Sequence, residues 1–75
     1  MDNITASLAD ELQDVVKYSE MARHSEYGSM LKDIAGEEMQ HAKNLRSILE
    51  MEGKPVPDLT EEWRAARAAL YGELS

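Results

Sequence analysis

Apolar residues recur at helical intervals along most of this chain, and three segments stand out. The first runs from about Asn3 to Arg23. The second runs from about Ser29, or Ser25 at the earliest, to Glu52, and the third from about Thr60 to Gly72. In the first, Ile4, Leu8, Glu11, Val15, Tyr18 and Ala22 follow one another at alternating intervals of four and three. In the second, Leu31 and Ile34 lead to Glu38, His41, Leu45 and Ile48. A parallel stripe of Leu31, Ala35, Glu38, Ala42, Leu45 and Leu49 widens that apolar face. These are the spacings of helices packed side by side in a bundle. β-Branched residues are few and no alternating run exists, so strands are not expected.

The segment Gly53-Lys54-Pro55-Val56-Pro57 cannot be helical and reads as a linker. A weaker break lies between Ser25 and Ser29, around Gly28. The expected architecture is all-α: an antiparallel hairpin over residues 1–52, a linker over 53–59 and a short helix over 60–75. Asp58 or Thr60 is the expected N-cap of the last helix, because Glu61 follows Asp58 by three. The stripe Trp63, Ala66, Leu70 and Leu74 is too short to stand alone and should dock on the hairpin or on a neighbouring subunit.

Two carboxylates and an imidazole sit inside the apolar stripes, and they need a reason. A buried unpaired carboxylate is costly, so it is normally paired, protonated or bound to metal. Neither stripe offers Lys or Arg at these levels. Glu38 and His41, three apart, project from one helix face toward the same point. If Glu11 lies opposite Glu38, then Leu8 faces His41, Ile4 faces Leu45, Val15 faces Ile34 and Tyr18 faces Leu31. That pairing centres the turn between His24 and Ser25, whereas Gly28 invites a turn some three residues later. With the later turn, Glu11 would meet the other two across a subunit interface.

Composition narrows what else could explain the cluster. With 75 residues and no cysteine, the chain has no disulfide, thiolate site or Cys nucleophile. A core this small usually needs a metal or a partner. The balance of 8 Lys+Arg against 15 Asp+Glu gives a net charge of −7, which repels phosphate backbones and attracts cations. Nucleic acid is therefore not an expected partner. No apolar run approaches the roughly 20 residues of a membrane span, and the start has no signal-peptide pattern. The expected location is cytoplasmic, including the lumen of a protein compartment.

One chain offers three ligands, too few for two metals, and a second copy supplies three more. Four glutamates and two histidines, two of each ligand kind arranged as Glu-x-x-His, make the di-metal site of carboxylate bundles. Oxygen-rich sites with imidazole suit iron, with manganese or zinc as substitutes.

The stretch Asp10-Glu11-Leu12-Gln13-Asp14-Val15-Val16-Lys17-Tyr18, with Ile34-Ala35-Gly36-Glu37-Glu38-Met39-Gln40-His41-Ala42, resembles the two metal-binding helices of the rubrerythrin and ferritin-like superfamily. The single hairpin and short third helix are most similar to the encapsulated ferritins. The resemblance implies a ferritin-like four-helix bundle completed by homo-oligomerisation, as a dimer or larger. It implies Fe(II) oxidation at a di-iron centre between subunits, with two irons per dimer. Glu11, Glu38 and His41 would be the ligands, with Tyr18 close by. An encapsulating shell protein becomes a candidate partner. Gln13 stands where encapsulated ferritins carry a further acid of a metal-uptake site, and the tail from Ala69 to Ser75 has no convincing cargo-loading peptide. The cysteine-rich iron domain of rubrerythrins proper is lacking.

Other readings of the same residues are a non-catalytic helical interaction module and a structural zinc or manganese site. Among the remaining residues, His24 reads as a solvated residue beside a turn and Glu37 as a solvated acid. Asp14, one turn from Glu11, could orient a ligand or lie on the surface.

Overall fold

The computed structural model describes residues 3–72. Three helices run over Asn3–Arg23 (α1), Gly28–Met51 (α2) and Thr60–Tyr71 (α3), with no strand among the described residues. The all-α expectation holds, and each boundary falls within a residue of its expected place. Among the described residues, no helix is long and apolar enough to cross a membrane.

Backbone chemistry explains the boundaries. Neither proline nor glycine interrupts α1. At the far end of the hairpin, a Cβ on Gly28 would sit 2.7 Å from the Ala22 carbonyl oxygen, so only glycine lets α2 begin this close to α1. Helix α2 ends with Gly53 in the left-handed conformation (φ +67°). There the Gly53 N–H donates to the Glu50 carbonyl (3.1 Å) and the Lys54 N–H to the Leu49 carbonyl (2.9 Å), a Schellman ending.

Helix α3 is entered differently from the expectation. Its N-cap is Leu59, which makes no side-chain cap bond. Asp58, one residue earlier, instead holds Thr60, accepting from its N–H (3.2 Å) and hydroxyl (2.7 Å). These bonds hold the Asp58 carboxyl below its usual range. Glu61 does not reach back; it pairs with Arg64 at 3.1 Å.

Leu8, Leu12 and Val15 of α1, Ala35, Met39, Ala42 and Leu49 of α2, and Trp63, Ala66 and Leu70 of α3 form one buried core. Helix α1 packs against both others. Arg46 covers the Trp63 ring at 4.5 Å, and Arg23 Nη2 donates to the Ala69 carbonyl at 3.0 Å, which ties α3 at both ends. The expected stripe of α3 thus docks on the hairpin, except for Leu74, which lies outside the described residues.

The glycines predict opposite effects on stability. Gly28→Ala forces the new methyl against the Ala22 backbone carbonyl and should cost about 1–3 kcal/mol. Gly36→Ala meets nothing within 4 Å and should add about 0.5–1 kcal/mol through helix propensity. Denaturant midpoints of the two variants, read side by side, check both signs.

Candidate metal centre

The hairpin brings Glu11, Glu38 and His41 together within one chain. Its turn, residues 24–27, is centred between Ser25 and Glu26. That is one residue later than a strict pairing of Glu11 with Glu38 requires, and earlier than a turn set by Gly28. Glu11 consequently falls between the levels of Glu38 and His41 and reaches both. Its Oε2 lies 3.6 Å from His41 Nδ1, and Glu38 Oε1 lies 3.9 Å from the same nitrogen. One donor atom from each residue lies within 4.8 Å of the other two, the span of a shared cation.

Burial within the cluster is graded. The Glu11 and Glu38 side chains are 23% and 20% exposed, whereas His41 is 53% exposed. Glu11 Oε2 itself is shielded from solvent and has no hydrogen-bond partner. Burial pushes the Glu11 carboxyl up to about 7. The facing Glu38 adds to this as a hydrogen-bond partner of the protonated form and by repulsion. His41 pulls the other way, and Asp14 contributes a smaller push. An orphaned, destabilised carboxylate beside a second carboxylate and an imidazole is a donor set that a divalent cation completes. The residues present fit a metal.

Around this cluster, much of the expected seam is only partly covered. Only Leu8 and Val15 of the α1 stripe are fully buried; Ile4, Tyr18 and Ala22 are half-buried. On α2, Ile34 is 38% exposed, and Leu31, Leu45 and Ile48 are half-buried. The metal-ligand candidates therefore sit on a partly apolar face that one chain does not cover. Tyr18 packs at the edge of this face with Lys17 Nζ 5.4 Å from its ring centre, and no hydrogen bond joins it to the three. Asp14 is half-buried, and its charge is felt at Glu11, which sequence spacing alone left undecided. His24 and Glu37 are exposed as expected.

An all-α hairpin with a Glu on one helix facing a Glu-x-x-His on the next defines a ferritin-like carboxylate protein with a candidate metal site. The profile of the Rubrerythrin family matches residues 2–70, and the chain belongs to that family. No curated protein and no solved structure shows a match.

Proposed function

We propose that this protein is a ferroxidase whose di-iron site is completed by a second copy of the chain, with Glu11, Glu38 and His41 of each copy as ligands. The observation that carries this reading is the orphaned Glu11 oxygen facing Glu38 and His41 on an incompletely covered apolar face. Family membership supports iron over other divalent ions, and the likeness to encapsulated ferritins supports completion by a second subunit.

Iron held by Glu11, Glu38 and His41 would supply the redox change, with ferrous iron as the reductant and dioxygen or peroxide as the oxidant. The chain's own residues do the rest. With its carboxyl at about 7, Glu11 is protonated in much of the neutral protein, and a cation must displace that proton to bind there. Glu38 and His41, fixed three apart on a rigid helix, set two donors at one level without loop motion. Ile34 and Leu45, one helical turn either side of that pair, limit water once a partner helix lies over them. Tyr18 is a positioning residue at the rim.

Elemental analysis tests the assignment. Wild type should carry about one iron per chain, half of a two-metal site. Glu38→Ala and His41→Ala should each abolish it. Unchanged metal in either variant removes that residue from the site. Light scattering should find the metal-loaded protein as a dimer or larger, since a ligand that binds only the associated state favours it. A monomer holding a coupled metal pair would contradict the shared site.

A further inference from the structure

The end of α1, the start of α2 and the end of α3 converge on a cleft of about 360 Å³, whose walls include Ser19, Arg23, Gly28, Ser29, Lys32 and Tyr71. That volume is at the lower end of the usual range for small-molecule sites. Among the described residues, the charged ones lining it are both cations, in a chain where acids outnumber bases 15 to 8. Helix α2 opens into it without a cap: Tyr27 makes no side-chain cap bond, and the first turn contains no acid. The first intrahelical acceptor at this end takes the Leu31 N–H, 3.0 Å from the Tyr27 carbonyl, so the amides just before it have no helical partner. Those amides carry the positive end of a 24-residue helix.

Ser19 is an independent pointer to a ligand. It is only 4% exposed, yet its Oγ has no hydrogen-bond partner. A serine within a helix ordinarily returns its hydroxyl to a carbonyl one turn back. This one has no such partner, and Ser19 is one of the residues of the cleft wall. Arg23 is partly occupied in holding the Ala69 carbonyl, which leaves other guanidinium N–H groups to donate.

We propose that this cleft binds a phosphate group, free or on a small organic molecule. The phosphate oxygens accept from the first amides of α2, the Ser19 hydroxyl and the Lys32 ammonium, with Arg23 alongside. The net charge of −7 does little against an anion in the cleft, because physiological salt screens charges more than about 8 Å away and the local cations dominate. The proposal is independent of the metal reading. Lys32 lies six residues from Glu38, about 9 Å along the helix axis.

The test is titration of the full chain, as purified, with inorganic phosphate and separately with glycerol phosphate. Ionic strength is held constant with chloride, and binding is read by calorimetry and by the amide resonances of Gly28 and Ser29. One phosphate group per chain is expected, with both resonances moving. Lys32→Gln should weaken binding about tenfold, the worth of one hydrogen bond to a charged group. Ser19→Ala should weaken it a few-fold while melting no lower than wild type, because it removes a stranded hydroxyl. Glu38→Ala should bind phosphate as wild type does, which separates this cleft from phosphate held by iron. Tighter binding of glycerol phosphate makes an organic phosphate the occupant; equal or weaker binding makes it the free ion. Unmoved Gly28 and Ser29 amides, an unchanged affinity in Lys32→Gln, or binding lost with Glu38→Ala would each overturn the proposal.

Discussion

Glu11→Ala should bring the rate of Fe(II) oxidation in air close to that of buffer, a loss of at least about 100-fold. An outer partner of a metal ligand is already worth about 10–100-fold, and Glu11 is placed to be a ligand itself. It is the one candidate contributed by α1, and it stands between Glu38 and His41 rather than opposite either. Without it, two donors from a single helix face remain, which leave a cation open on the α1 side. Tyr18→Phe should cost about tenfold or less, because Tyr18 lies one heptad beyond Glu11 and no hydrogen bond joins its hydroxyl to the three residues. Ferric absorbance followed by stopped flow checks both. A Glu11→Ala rate equal to wild type would leave a metal site possible but without Glu11. A wild-type rate equal to buffer, with iron bound, would move the protein to a structural or storage-accessory role.

Much of this was legible from spacing, and the parts that were not have definite causes. The helix limits followed from Gly53 and the two prolines of the linker, which dictate local backbone geometry whatever the tertiary packing, and from Gly28, whose missing side chain admits the Ala22 carbonyl. The cluster followed from polar residues placed where a bundle wants apolar ones. Leu12, Ser19 and Met39, however, are buried although they belong to neither counted stripe. A hairpin pattern considers one partner for α1, whereas α1 has two. Leu12 shares a small depression with Glu62 and Ala65, and Ser19 shares the phosphate cleft with Ala69 and Leu70, so that side of α1 meets α3. The buried face is rotated accordingly, and Ile4, Glu11 and Tyr18 of the stripe are left half-buried. The hairpin register was undetermined because a difference of one or two turn residues changes no apolar pairing decisively. The cleft at the hairpin end left no trace in the pattern, because it joins residues from three separate helices.

The metal-free and metal-loaded proteins should respond to pH in opposite directions, and Glu11 is the reason. Its carboxyl is pushed from 4.5 up to about 7 in the fold, so the native chain keeps a proton that the unfolded chain releases. A raised carboxyl pKa gives stability that is full below about 4.5 and is lost as pH rises through about 7. The bare product of shift and proton free energy overstates this. Water reaches the cluster past the exposed His41 ring, so a contribution on the order of 1 kcal/mol is expected after screening. Chelated wild type should therefore lose stability between pH 5.5 and pH 8 relative to Glu11→Gln, with both measured by denaturant at one protein concentration. A metal must displace that same proton, so its apparent affinity should fall about tenfold per pH unit below 7, or about 100-fold at pH 5. Iron binding titrated at pH 7 and pH 5 checks that second half. If Glu11→Gln and wild type track each other across the whole range without metal, the raised proton affinity of Glu11 is wrong. If their metal-free curves diverge but iron affinity is flat with pH, Glu11 is perturbed but does not bind the metal. The site is then destabilising in the metal-free protein because it is poised for a cation, and the strain that lowers stability at neutral pH is the same feature that makes loading favourable there.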